Sequence, residues 1–184
     1  FYNKQYEINE AKRDNTLKAR LLNSNITTHE FDDQCLVAPT QILTGEGRFY
    51  SVFTPFKKNW LQKITHQGYK ILPAPNPRKQ HNTISPSPIP VAIDGFNSHI
   101  SPKIAEEYWP AGEDAALARL QYFCEHHLRS YKEARDFPML DSTSKLSPYL
   151  AIGAISARQC YQAAVNEQLA HGTNDSIEQW ISEL

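Results

Sequence analysis

The chain has 184 residues, 40% hydrophobic and 21% charged, with 19 Lys and Arg against 20 Asp and Glu and a formal net charge of −1. That apolar fraction excludes a disordered chain, and no run approaches the roughly 20 apolar residues that a transmembrane helix needs. The length suits one domain or one and a half.

In chain order, Phe1-Tyr2-Asn3 reads as the last residues of a strand. A helical pattern follows over 7–22, with Ile8, Ala11, Leu17, Ala19 and Leu21-Leu22 apolar among charged residues. A short strand is expected over 28–31 and another around Cys35-Leu36-Val37. Strand, helix, strand is the order of a parallel layered α/β unit. Thr54 is a good N-cap and Pro55 suits a first helical position, so a second helix should open there. Trp60, Leu61 and Ile64 share one of its faces, and His66-Gln67-Gly68 ends it.

Residues 73–102 hold seven of the twelve prolines, in Pro-x-Pro steps at Pro73/Pro75/Pro77 and Pro86/Pro88/Pro90. This composition gives an extended, semi-rigid connection. A ligand for a Pro-recognising module is the functional alternative, and spacing alone does not support it. Beyond it the pattern is helical. Residues 112–129 carry Ala115, Ala116, Leu117, Leu120, Phe123 and Cys124 at helical spacing. Ser147-Pro148 reads as an N-cap and first position of a short helix ending at Gly153. Ser156…Gln159 is a capping box for a helix to about residue 169, and Asp175…Glu178 is read as a second. The apolar face of that last helix, Ile177, Trp180, Ile181 and Leu184, is expected to lack partners within the chain. The expected division is 1–31 as the end of an α/β domain, 32–111 as a connection, and 112–184 as the first part of a helical domain.

The chain begins Phe1-Tyr2 and ends at Leu184 in mid-pattern, so both ends read as cuts through structure. Charge is uneven along it. Residues 48–103 carry eight cations (Arg48, Lys57, Lys58, Lys63, Lys70, Arg78, Lys79, Lys103) and one acid, Asp94, whereas 112–184 carry six basic and ten acidic residues. The basic stretch is either a solvated face or a nucleic-acid contact. Cys35, Cys124 and Cys160 are odd in number and lack any paired or metal-ligand spacing, which suits reduced, mostly buried thiols of a cytosolic protein. His126-His127 point about 100° apart on a helix, so no metal site is expected.

The stretch from Asp141 to Pro148 holds most of the chemistry. Ser142, Thr143, Ser144 and Ser147 gather hydroxyls around the cation Lys145 just before a helix start. Free N–H groups and the partial positive charge there suit a phosphate. The plain alternative is that these hydroxyls only cap the helix.

The strings Tyr131-Lys-Glu-Ala-Arg135-Asp-Phe-Pro138, Thr143-Ser-Lys-Leu-Ser147-Pro-Tyr-Leu150 and Ile155-Ser-Ala-Arg-Gln159-Cys160 resemble the start of the flavin domain of DNA photolyases and cryptochromes. Residues 1–14, Val52-Phe-Thr-Pro-Phe56 and Trp180-Ile-Ser-Glu-Leu184 agree in order. The resemblance spans nearly the whole chain and is nearest the middle of a class I bacterial cyclobutane pyrimidine dimer photolyase. It implies the end of a Rossmann-like α/β antenna domain, a Pro-rich linker, and the start of a helical FAD-binding domain.

The resemblance implies that Thr143, Ser144, Lys145, Leu146 and Ser147 wrap FAD. The family often has Arg at the third position, and Lys145 keeps that charge without the planar fork. Tyr131 matches a further flavin contact, and Trp180 lines the flavin site, although by itself it would be read as core. Glu183 matches a residue that reaches the DNA lesion, and burial raising its pKa would let it donate as well as accept. Arg135 is implied near the bound strand, with a structural ion pair to Asp136 or Asp141 as the other reading. Asn9 and Glu10 match the pair that binds an antenna 5,10-methenyltetrahydrofolate. No residue is expected to serve as general acid, base or nucleophile.

The expectation is therefore a deoxyribodipyrimidine photo-lyase fragment acting on dimer-containing DNA, monomeric, cytoplasmic and bacterial, with no membrane association. A cryptochrome-type flavin photoreceptor and a non-enzymatic helical phosphate-binding or interaction module are the alternatives.

Overall fold

The computed structural model describes residues 1–76, 88 and 106–184. Most of the Pro-rich connection expected over 73–102 lies outside the described residues; its first four, 73–76, are irregular. The described chain is mostly helical, with one small sheet. No helix among the described residues is long and apolar enough to cross a membrane.

The chain opens as a strand, a helix and a strand: β1 (Tyr2–Asn3), α1 (Ile8–Asn23) and β2 (Glu30–Phe31). The strands are parallel, with Tyr2 opposite Glu30 and Asn3 opposite Phe31, as the strand-helix-strand order predicts. Side chains lock this register: the Tyr2 hydroxyl donates to Glu30 Oε2 at 3.0 Å and Lys4 Nζ donates to Asp32 Oδ2 at 2.9 Å. α1 stops at Asn25, whose φ of +58° is left-handed. The Ile26 N–H returns to the Leu21 carbonyl and the Asn25 N–H to that of Leu22, the Schellman pattern, which Asn tolerates in place of Gly.

The strand expected at 35–37 is absent. Leu36 and Ala38 alternate inward in an irregular stretch that runs into a 3₁₀ turn, Pro39–Gln41, and Leu36 joins the helical core instead of a sheet. The next helix, α2 (Phe53–Gln67), starts two residues earlier than Thr54-Pro55 suggests, with Val52 at its N-cap and no side-chain cap. It ends at Gly68, where φ is +67°, as expected.

The remaining helices are α3 (Glu113–His126), α4 (Tyr131–Ala134), α5 (Ser147–Ala151), α6 (Ala157–His171) and α7 (Asp175–Glu183). The long helix expected over 112–129 breaks at His126 into a 3₁₀ turn, Leu128–Ser130, because Leu128 and Tyr131 must both turn into the core. α6 has its capping box as predicted. α7 is capped one residue earlier than expected, by Asn174, whose side chain accepts from the Ser176 N–H at 2.7 Å. Ser147 is the first residue of α5, Leu146 stands at the N-cap, and no side chain caps it.

One core unites these helices. Phe123, Leu128, Leu146, Ile177 and Cys160 are almost wholly buried, and Ile64 of α2 reaches the same cluster. The expectation that the face of α7 lacks partners is wrong: Ile177, Trp180 and Ile181 are 0%, 3% and 6% exposed. Phe123 of α3 covers Trp180 with ring centres 5.0 Å apart. α2 docks through aromatic edges, Trp60 on Tyr161 at 6.0 Å, and Tyr69, just beyond it, on Tyr161 at 4.9 Å. Arg158 at the start of α6 ties the N-terminal unit down, pairing with the Asp33 carboxylate and donating to the carbonyls of Asp32 and Cys35.

Candidate functional site

α3 is the spine of the candidate site. Arg119 and Phe123 are four residues apart on it and therefore lie on one face. Phe123 faces the α4 and α7 side, where it meets Tyr131 with ring centres 5.8 Å apart and Trp180 at 5.0 Å. Arg119 faces the loop from 141 to 146. Its Nε donates to the Ser144 carbonyl at 2.9 Å and its Nη2 to the Thr143 carbonyl at 3.0 Å. Nη2 also lies 3.5 Å from Asp141 Oδ1, and the guanidinium stands 5.3 Å from the centre of the Tyr122 ring.

The loop is held at several points. Ser142 is buried and its hydroxyl donates to the Ala134 carbonyl at 2.9 Å. Leu146 is plugged into the core at 1% exposure. Between them Lys145 adopts φ of +54°, a left-handed conformation that costs a non-glycine residue roughly 1–2 kcal/mol and persists only where neighbours over-determine it. Lys145 Nζ pairs with Asp141 Oδ1 at 2.7 Å, and this hydrogen bond holds the Asp141 carboxyl below its ordinary range. Thr143 and Ser147 stay exposed, with Ser144 and Lys145 half-buried.

Toward α4 and α7, Arg135 and Glu183 form an ion pair, Nη1 to Oε1 at 2.5 Å, and Arg135 Nε lies 3.4 Å from Asp136. The Arg135 guanidinium also stands 5.5 Å from the centre of the Tyr131 ring. The ion-pair reading of Arg135 thus holds for Asp136, with Glu183 as a partner the sequence did not indicate. The hydrogen bond from Arg135 lowers the Glu183 pKa, with smaller contributions from Gln179 and from the charge of Lys57, whereas burial raises the Tyr131 hydroxyl. Glu183 is therefore an ionised acceptor here, not the protonated donor that burial would make.

The predicted residues fall into three groups. Thr143, Ser144, Lys145, Leu146 and Ser147 form the loop; Tyr131 and Trp180 pack on Phe123, and Arg135, paired with Glu183, stands over Tyr131. Asn9 and Glu10 stand in the first turn of α1, Asn9 exposed and Glu10 half-buried. Among the described residues no hydrogen bond or ion pair joins them to the other two groups. The residue that sequence reasoning missed is Arg119. Its only signal was a cation on a helix otherwise rich in Ala and Leu, one turn before Phe123.

The loop suits the diphosphate of a flavin nucleotide. Its exposed hydroxyls can donate, its cation is partly accessible, and two of its carbonyls are already engaged by Arg119, away from any anion. Tyr131 and Trp180 fit less openly, since both are buried and Trp180 lies under Phe123.

Comparison with known proteins gives the same direction. A family model for DNA photolyase matches residues 1–78. The deoxyribodipyrimidine photo-lyase of Vibrio cholerae is 34% identical over 187 residues, covering 99% of this chain and 38% of that protein. That of Escherichia coli is 34% identical over 187 residues, covering 100% of this chain and 37% of that protein. Among solved structures, a class III photolyase from Agrobacterium tumefaciens superposes with a TM-score of 0.67 at 26% identity, covering 98% of this chain and 37% of that chain. A Synechocystis cryptochrome, 24% identical with a TM-score of 0.67 over 100% of this chain and 38% of that chain, shares the fold. The chain thus spans little more than a third of the length of the curated relatives it matches. Over that span the chain is similar to deoxyribodipyrimidine photo-lyases from end to end, and the DNA photolyase family model accounts for its first 78 residues.

Proposed function

We propose that the protein carrying this chain is a deoxyribodipyrimidine photo-lyase of the class I bacterial type, which repairs cyclobutane pyrimidine dimers in DNA with light. The observation that carries this reading is the match of essentially the whole chain, at 34% identity, to proteins of that activity. In this reading 1–31 ends the antenna domain, 32–111 connects, and 112–184 begins the flavin domain. When bound, reduced FAD would supply light-driven electron transfer to the dimer and a folate antenna would supply excitation energy.

The chain's own residues bind and orient. Thr143, Ser144 and Ser147 offer hydroxyl donors to the flavin diphosphate, and Lys145, balanced by Asp141, adds a tethered positive charge. Asn9 and Glu10 offer the amide and carboxylate that satisfy the mixed donor-acceptor edge of a pterin. Glu183, kept ionised by Arg135, accepts from N–H groups of a dimer flipped out of the duplex. Arg135 sits on the same edge, and Lys57 of α2 adds to the potential felt by Glu183. With Lys58 and Lys63 on the same helix, α2 supplies cations for DNA phosphates.

The test is illumination of the purified protein, flavin reduced, with a dimer-containing oligonucleotide. Dimer splitting is expected. Bound reduced flavin without repair sinks the enzyme reading and leaves a photoreceptor. A colourless protein that takes up no flavin leaves only a helical phosphate-binding module, and a folate absorption band lost in Asn9→Ala tests the antenna.

A further inference from the structure

We infer that Arg119 is a positioning residue for the flavin diphosphate: by gripping two consecutive carbonyls it aims the Ser144 and Lys145 amides at the ligand. The inference rests on the flavin reading proposed above. It concerns a residue outside every motif that carried the family resemblance.

The argument starts from peptide geometry. A trans peptide is planar, so the C=O of one residue and the N–H of the next point in opposite directions. Arg119 Nη2 takes the Thr143 carbonyl at 3.0 Å and Nε takes the Ser144 carbonyl at 2.9 Å. The N–H of Ser144 and the N–H of Lys145 must then point away from Arg119. Neither amide appears in a hydrogen bond among the described residues, so both remain available to an anion.

Lys145 and Leu146 extend the arrangement. Lys145 is left-handed at φ of +54° and Leu146 is right-handed at φ of −88° and ψ of −10°. Alternation of this kind turns successive N–H groups into one concavity, a form that binds phosphates. Such a loop needs an outside brace, because consecutive parallel N–H dipoles repel one another when nothing is bound. The planar two-point fork of Arg119 is that brace, and an ammonium on a flexible stem cannot reproduce it. Asp141 orients the fork, at 3.5 Å from Nη2, and restrains Lys145 at 2.7 Å.

The experiment uses the full-length protein stripped of flavin, titrated with FAD by fluorescence quenching, with thermal unfolding of each apoprotein alongside. Arg119→Leu should weaken FAD about tenfold or more while unfolding within a few degrees of wild type. Arg119→Lys should fall between the two, with the ³¹P resonances of its bound FAD displaced from those of wild type. Unchanged FAD affinity in Arg119→Leu overturns the inference. So does an equal loss of affinity in Ser156→Ala, a distant cap variant, at the same fall in unfolding temperature. If Arg119→Leu does not fold, Arg119→Lys decides, and unmoved ³¹P resonances overturn the inference. A wild-type protein that binds no FAD instead fails the flavin reading itself, and the inference falls with it.

Discussion

Arg135 Nη1 and Glu183 Oε1 stand 2.5 Å apart although 48 positions separate them, joining α4 to α7 on the edge of the candidate site. The pair depresses the Glu183 pKa. Its contribution is complete above the ordinary carboxylate value of about 4.3 and is lost as pH falls through the lower folded value. Glu183→Gln should therefore reduce stability slightly at pH 7 and make no difference once Glu183 is protonated in wild type. Urea unfolding of both proteins across pH 3–7 checks this; a gap that persists at the acid end refutes it.

Phe123 and Trp180 form the centre of the core, at 0% and 3% exposure. Phe123→Ala should cost about 3–5 kcal/mol through lost burial and the cavity left behind. Trp180→Phe, which keeps a ring against Phe123, should cost markedly less than Trp180→Ala. Chemical denaturation gives the ordering, and equal losses for the two Trp180 variants would contradict the packing described.

Ser176 is a buried polar bridge at 1% exposure. Its hydroxyl donates to Glu133 Oε2 at 2.9 Å and accepts from the Lys132 N–H at 3.0 Å, tying α7 to α4. Ser176→Ala leaves that N–H unsatisfied and should cost about 1–3 kcal/mol. Amide hydrogen exchange at Lys132 should rise in the variant, since its acceptor is gone.

The three thiols should react in a definite order. Burial pushes Cys124 and Cys160 up to about 12, and both are buried side chains on packed helices. Cys35 is also raised by burial, yet it is half-exposed. A thiol reagent at pH 8 should label Cys35 first, with Cys124 and Cys160 reacting only on unfolding. Mass spectrometry of the partially labelled protein identifies the site, and early labelling of Cys160 would refute the order.

Much of the fold is legible in the residues because it rests on local chemistry. The 3.6-residue periodicity placed α1, α2 and α6 to within a few residues, and Ser156 with Gln159 marked the α6 capping box. Gly68 marked the end of α2, where a left-handed residue is needed. The strand, helix, strand order gave the parallel pairing of β1 and β2 before any contact was known. Local signals misled where packing overrode them. Thr54 and Ser147 look like caps yet cap nothing, and the helix expected through residue 129 breaks so that Leu128 and Tyr131 can both be buried.

The motif from Thr143 to Ser147 and its resemblance to photolyases were likewise legible in the residues in order, since a motif is a local string. The tertiary structure alone decided what braces that string. Arg119 meets Thr143 and Ser144 across about 25 positions, and Arg135 meets Glu183 across 48. It also decided that Trp180 and its helix have partners in this chain, where the sequence suggested none. The reason is physical: caps and periodicity act within one or two helical turns, whereas a guanidinium chooses its carbonyls only after the core has fixed which helices touch.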